Sequence, residues 1–284
     1  MSLIHISQLE KKIDDFHLGP IHLTIERGTI TALVGNNGSG KSTLLKLIMN
    51  LAKADMGNIR VNDILISGED ESWKQYIAYQ PQTTIGYDPF TGKALKDLIA
   101  NWYPQWDDKF FNRVIDMLHV PLNKPFGKLS PGAQQKLSFA LTIARNTPIL
   151  ILDEPTAHID IPSKKVMTDL LVEWMEDGEK AILIASHQVE DIKKLADYLF
   201  VLHDGDMIGY FEKGELTEGY VRYWIDQTLP YGNIPGAVTH DEQTIVSNDP
   251  ERTEQYLTTN DIEWINRETV DLEDIITLLL TKKG

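Results

Sequence analysis

Residues 35–42 read Gly-Asn-Asn-Gly-Ser-Gly-Lys-Ser, and no other stretch of the chain restricts the fold as strongly. The segment before them, Thr29–Val34, is a short apolar run that reads as a buried strand. The segment after them, Lys41–Asn50, has apolar residues at helical spacing. A buried strand that passes through a glycine-rich loop into a helix makes a cradle for phosphate. Glycines let the loop curl so that backbone N–H groups point inward, and the helix start adds unsatisfied donors and a partial positive charge. Gly35, Asn36, Asn37, Gly38, Ser39, Gly40, Lys41 and Ser42 are therefore candidate phosphate-binding residues. Lys41 is expected to reach the β- and γ-phosphates of a nucleotide, and Ser42 to bind Mg²⁺ through its hydroxyl. A glycine-rich turn with a surface lysine is the plainer alternative, but it leaves the flanking strand and helix without a reason.

A second constraint lies downstream. Ile149-Leu150-Ile151-Leu152 is an apolar strand that ends in Asp153-Glu154. Adjacent carboxylates at the end of a buried strand call for a cation to balance them. Beside a phosphate loop that cation is Mg²⁺, held by Asp153 directly or through its shell. Glu154 is expected to point elsewhere, because neighbours in a strand alternate. There it can polarise the water that attacks a γ-phosphate.

Composition narrows the class. The formal net charge of −15 argues against broad binding to nucleic-acid backbones, which takes Lys/Arg surfaces, so no nucleic-acid partner is expected. The acid excess is densest after residue 216, where thirteen acids face five bases, and it reads as a solvated surface. The absence of cysteine excludes disulfides and cysteine-metal sites. No apolar run approaches the roughly 20 residues that span a bilayer. The opening MSLIHISQLEKK lacks the basic start and apolar stretch of a signal peptide. If the chain serves a membrane, another chain must cross it.

The remaining segments alternate. Residues 3–9 and 20–25 read as strands, Asn62-Asp63 as a hairpin turn between short strands, and residues 77–79 as a strand closed by Pro81. From 88 to 128 the character changes: NWYPQW and FFNRVIDML suggest a small helical subdomain. Helices are expected from Ser130 to about Asn146, over 162–177 and over 188–197, with a strand at 181–185 and paired strands around Asp204-Gly205. Strands alternating with helices indicate a parallel sheet covered on both faces. Pro230–Gly236 is rich in proline and glycine and separates the rest. Beyond it, two short strands, a helix near 250–258, a strand near 262–266 and a helix over 271–281 suggest a small α+β appendage.

With these motifs in order, the chain closely resembles the ATPase domains of ABC transporters over residues 1 to about 216. Gln82, in YQPQ, matches the glutamine that links Mg²⁺ and the attacking water to the membrane subunit. Leu129-Ser130-Pro131-Gly132-Ala133-Gln134 matches the signature motif, usually LSGGQ. Pro155 to Asp160 matches the loop after the catalytic glutamate, where Asp160 contacts the partner subunit, and His187 matches the switch histidine that reads the γ-phosphate. Pro131 and Ala133 depart from the usual signature, yet the local chemistry survives. Ser130 is a good N-cap, and Pro131 suits the first helical position, where no N–H is needed. The resemblance also asks for an aromatic against adenine near the N-terminus. Phe16 is the candidate, Ile13 aligns about as well, and a core role for Phe16 is the alternative.

The resemblance implies an α/β fold: a P-loop NTPase core of the ABC ATPase type over 1–216, with a helical subdomain at about 83–130 and an accessory region over 217–284. It implies an ATPase using ATP and Mg²⁺, with catalytic Glu154, His187 and Gln82 and metal ligands Ser42, Gln82 and Asp153. Residues 35–43, Thr43 included, with Ser130, Gly132 and Phe16, make up the nucleotide-binding set. The implied partners are a membrane-spanning permease and a second ATPase subunit, identical or not, at the cytoplasmic face of the membrane. The second subunit brings Ser130 and Gly132 to the opposing ATP. The 83–128 segment is expected to grip the permease, with Trp102, Tyr103 and Trp106 as contacts or as local core. The stretch YPQWDDKFFNRVIDML and the ending TVDLEDIITLLLTKKG resemble exporters of drugs, antibiotics or peptides. Soluble relatives acting in translation, repair or assembly, and nucleotide-gated regulators, are the alternatives.

Overall fold

The computed structural model describes residues 2–227, 229 and 232–281. They form two compact units, Met1–Tyr210 and Phe211–Gly284.

The first unit opens with a long antiparallel hairpin, β1 (Ser2–Ile13) and β2 (Phe16–Glu26). Both strands outrun the sequence expectation. Gly19-Pro20 looks like a break, but the strand passes through it. Gly19 takes φ +109°, and a Cβ there would stand 2.2 Å from the Leu9 carbonyl oxygen, so only glycine fits this irregular stretch of the ladder. Next come β3 (Ile30–Val34), buried along its whole length, and α1 (Lys41–Ile48). The strands β4 (Met56–Val61) and β5 (Ile64–Leu65) pair about Asn62 and Asp63, both at positive φ as a tight two-residue hairpin requires. They complete a four-stranded sheet of order β2-β1-β4-β5.

The strand β6 (Ile77–Gln80) leads to the helical segment, made of α2 (Gly92–Ala100) and α3 (Asp108–Leu118). Thr91 and Asp107 cap these two helices through their side-chain oxygens. Then follow α4 (Pro131–Ile143), β7 (Ile149–Asp153), α5 (Ile161–Trp174), β8 (Ala181–Ala185), α6 (Val189–Leu195), β9 (Tyr198–His203) and β10 (Asp206–Glu212). The second sheet runs β10-β9-β3-β8-β7-β6, and the pairs of β3, β6, β7, β8 and β9 are parallel. β7 and β8 are buried at every position. Each buried Ile or Leu contributes about 1.5–3 kcal/mol, so these strands form a rigid floor under the loops at their ends. The parallel register sets Val34, Gln80, Asp153 and Ala185 at one edge of the sheet, where loops of α/β proteins hold ligands.

The second unit contains α7 (Lys213–Gly219), β11 (Val221–Ile225), β12 (Ala237–His240), β13 (Thr244–Ser247), α8 (Pro250–Thr259), β14 (Trp264–Thr269) and α9 (Leu272–Thr281). Its sheet runs β12-β13-β11-β14, with antiparallel pairs, around a core of its own that includes Tyr223, Ile245 and Leu257. The sequence pattern gives no expectation for α7 or β11. Of the Pro230–Gly236 stretch, Pro230 and Tyr231 lie outside the described residues, as do Lys282, Lys283 and Gly284. Among the described residues no helix is long and apolar enough to cross a membrane.

Candidate functional site

The loop between β3 and α1 owes its shape to positions that tolerate no side chain. A Cβ on Gly35 would stand 2.4 Å from both the Leu202 carbonyl oxygen and Ser39 Oγ. One on Gly40, at φ +104°, would stand 3.0 Å from the Phe16 ring and 2.8 Å from Leu18. The α1 helix starts at Gly40, and no side chain caps its first N–H groups. Those donors and the positive end of the helix dipole are left to whatever enters the loop. Ser39 Oγ is buried and has no hydrogen-bond partner, a further polar group awaiting a ligand.

Lys41 is buried, and its ammonium donates to the Gly35 and Asn36 carbonyl oxygens at 2.6 and 3.1 Å. Burial lowers its pKa, while the charges of Glu154 and Asp153 oppose that shift. Burial also raises the pKa of Asp153, with a hydrogen bond from Ser42 working the other way and the Glu154 charge adding to the rise. Two acids and one ammonium thus share a desolvated spot, an arrangement that a cation among oxygens would balance.

One cavity is lined by Phe16, Asn37, Gly38, Gly40, Lys41, Ser42, Thr43, Gln82, Asp153 and Glu154. Gly35, Asn36 and Ser39 belong to the same loop but not to the lining; Gly35 and Ser39 are buried and Asn36 is exposed. Phe16 is half-buried: it packs on the core beneath and also faces the cavity, whereas Ile13 is 42% exposed. Gln82 is exposed and projects from the loop after β6.

Glu154 departs from the alternation expected of it. The strand ends at Asp153, and Glu154 turns to φ +50°, so both carboxylates line the same cavity. His187 Nδ1 lies 2.8 Å from Glu154 Oε2, at ion-pair distance but outside hydrogen-bond geometry. The His187 side chain is 62% exposed and follows the end of β8. Its loop is stitched down nearby. Ser186 Oγ accepts from the Gln188 N–H at 3.0 Å, Gln188 Nε2 donates to Thr156 Oγ1 at 3.2 Å, and Thr156 Oγ1 donates to the Asp191 carboxylate at 2.6 Å.

Ser130 and Gly132 are not part of the cavity lining. Ser130 caps α4, its Oγ accepting from the Ala133 N–H at 3.3 Å, and Pro131 takes the first helical position as its missing N–H allows. Ser130 is exposed, so the start of α4 faces outward. Asp160 caps α5 through Ser163 and pairs with Lys136 at 2.9 Å.

One contact had no signal in the sequence. Gln135, on α4, donates its side-chain amide to the Glu154 carbonyl oxygen at 3.0 Å. A glutamine in a helix gives no sequence cue that it bonds the backbone of a distant loop.

The donor set suits Mg²⁺. It offers a hydroxyl, a carboxylate and a carboxamide, all hard oxygens, and among the described residues no cluster of three or more His, Cys, Asp or Glu could hold a metal alone. Mg²⁺ is commonly bound by one or two carboxylates together with substrate phosphates rather than by an all-protein cage.

The ABC transporter family model matches residues 18–157. The ABC transporter ATP-binding protein YtrB of Bacillus subtilis is 34% identical over 221 residues, which cover 78% of this chain and 75% of that protein. The phosphate import ATP-binding protein PstB of Saccharolobus solfataricus is 29% identical over 247 residues, 77% of this chain and 95% of that protein. Among solved structures, a dimeric ATP-binding cassette in a post-hydrolysis state, bound to ADP and phosphate, superposes with a TM-score of 0.65. Its identity is 21%, and the match covers 74% of this chain and 98% of that one.

Proposed function

This chain belongs to the ATP-binding proteins of ABC transporters, and from that premise we propose a working cycle in which ATP is sandwiched between its phosphate loop and the signature helix of a second ATPase subunit. As a member of that family it is an ATPase that energises transport by a membrane partner. The observation that carries the site assignment is the single cavity lined by Lys41, Ser42, Gln82, Asp153 and Glu154.

In this reading the phosphates enter at the uncapped start of α1. Lys41 exchanges its two loop carbonyls for phosphate oxygens, and the loop N–H groups, with Thr43 beside them, cradle the chain. Ser42, Asp153 and Gln82 would hold Mg²⁺, which supplies charge neutralisation to the phosphates when bound. Glu154 orients and polarises the attacking water, and His187, beside its carboxylate, reads the γ-phosphate. Phe16 offers an aromatic face for the base. Ser130, exposed at the start of α4, and the Gly132 N–H two residues on serve the nucleotide of the other subunit. The dimeric relative bound to ADP and phosphate supports that pairing.

The helical segment is the permease-facing surface. Trp102 is 77% exposed, with Leu98 and Phe90 also open, and these would fill an apolar groove on the membrane subunit. Tyr103 and Trp106 are engaged locally, with Arg145 and with Asp108 and Phe111. The protein would therefore sit peripherally at the cytoplasmic face. For cargo we keep the exporter reading, of a drug, antibiotic or peptide, supported by the YPQWDDKFFNRVIDML stretch. A phosphate importer among the relatives makes direction a question for vesicle transport assays.

Glu154→Gln tests the site. ATP affinity should persist while turnover falls by about 100-fold or more, the scale of a lost general base. Undiminished turnover in the purified chain would refute the role given to Glu154.

A further inference from the structure

Glu154 holds an unusual backbone conformation. At φ +50° a residue with a side chain is in the left-handed region, which costs about 1–2 kcal/mol unless its surroundings fix it. Three hydrogen bonds do so. Its N–H donates to the Ala185 carbonyl oxygen at 2.9 Å, and its own carbonyl oxygen accepts from the Ala157 N–H at 3.2 Å and from Gln135 Nε2 at 3.0 Å. The first two come from the neighbouring strand and from the local turn. The third comes from α4, five residues after Ser130.

The start of α4 meets the loop beyond Glu154 at two more points. Gly132 lies against the His158 carbonyl oxygen, where a Cβ would stand at 2.8 Å. Lys136 Nζ is 2.9 Å from Asp160 Oδ2. The segment from Glu154 to Asp160 is therefore bonded at its two ends to the start of α4, and packs closely on Gly132 between them.

We propose that Gln135 is a positioning residue for hydrolysis: its amide fixes the Glu154 peptide and so links the aim of the Glu154 carboxylate to the placement of α4. The inference rests on Glu154 as the group that activates water and on Ser130 as the contact to the opposing nucleotide. Under it, nucleotide held at one site through Ser130 steadies α4, and α4 steadies the glutamate of its own subunit's site. Because the Ala157 and Ala185 bonds remain when Gln135 is changed, as does the Lys136–Asp160 pair, the loop keeps its fold and loses only the bond from α4 at Glu154 itself.

The test uses the purified full-length chain, with kcat, KM for ATP, nucleotide affinity and melting temperature read for each variant. Gln135→Met keeps the side-chain length and removes the donor. Its kcat should fall about tenfold, the factor that roughly 1.4 kcal/mol represents, with KM and affinity within about twofold of the parent. Gln135→Lys restores a donor and should recover most of the lost kcat. Glu154→Gln combined with Gln135→Met should turn over no more slowly than Glu154→Gln alone, because a residue that acts only through Glu154 has nothing left to position. If Gln135→Met fails to fold, Gln135→Glu, which keeps the length and replaces the donor with an acceptor, is read in its place. Parental kcat in the folded variant overturns the inference, as does a loss that Gln135→Lys leaves unrepaired and that adds in full to Glu154→Gln. Parental turnover in Glu154→Gln itself is a separate failure, of the glutamate assignment.

Discussion

At the residue scale, the site depends on small groups in crowded places. Gly132 illustrates this. It contributes no side chain, and its backbone can approach the His158 carbonyl oxygen only because nothing projects from it. Gly132→Ala would put a methyl group 2.8 Å from that oxygen, which is backbone and cannot swing aside. The loop from Glu154 to Asp160 would have to shift, and a displacement of about 1 Å in a catalytic group can cost about 100-fold in rate. Steady-state ATPase assays should show a kcat loss of that order with little change in melting temperature. A variant with parental kcat would mean that the approach of α4 to this loop is immaterial to turnover. Ser39 is the complementary case: its buried hydroxyl has no partner within the protein, which suits the phosphate oxygen proposed for it.

At the element scale, much of the fold was legible from pattern. β3, β7 and β8 announce themselves as unbroken apolar runs because both faces of a parallel strand are covered, and the chain punctuates them with glycine, acids and proline. The phosphate loop and the paired carboxylates could be placed because each sits at the end of such a strand, and the Ser130 cap because a serine before proline reads as a helix start. What escaped reading has physical reasons. Glu154 leaves its strand, so strand alternation does not govern where its carboxylate goes. Gly19-Pro20 mimics a break, although glycine at positive φ lets the β1–β2 ladder continue around it. β11 is flanked by acidic and polar residues and alternates only weakly, yet it is a central strand of the second sheet, between β13 and β14. Its Tyr223 supplies a test of that unit. The ring is buried, its hydroxyl donates to Glu254 at 2.7 Å, and burial followed by that acceptor pushes its pKa up to about 12. A raised folded pKa stabilises the protonated form: the contribution is complete below the ordinary tyrosine value of about 10 and is lost as pH rises through the folded one. Tyr223→Phe should therefore cost about 1 kcal/mol at neutral pH and flatten the fall in stability between about pH 10 and 12. Denaturant melts at several pH values would reveal this, and an unchanged alkaline slope would contradict the burial and hydrogen bond assigned to this tyrosine.

At the scale of the whole molecule, the proposed half-site organises the chain. The phosphate loop and both carboxylates line one cavity, whereas Ser130 and Gly132 stand outside it at the exposed start of a helix. In the proposed cycle these are two complementary pieces of one reaction, and a second ATPase subunit joins them. The net charge of −15 and the exposed apolar residues of the helical segment fit a protein that works through protein surfaces rather than on nucleic acid. The most direct measurement is a structure of the Glu154→Gln chain with Mg²⁺ and ATP, in which hydrolysis is blocked and the sandwich can accumulate. ATP is expected in the loop ending at Lys41, with the γ-phosphate within hydrogen-bond reach of Ser130 Oγ from a second subunit. ATP bound elsewhere, or ATP in the loop while Ser130 of every neighbouring subunit faces solvent, would contradict it.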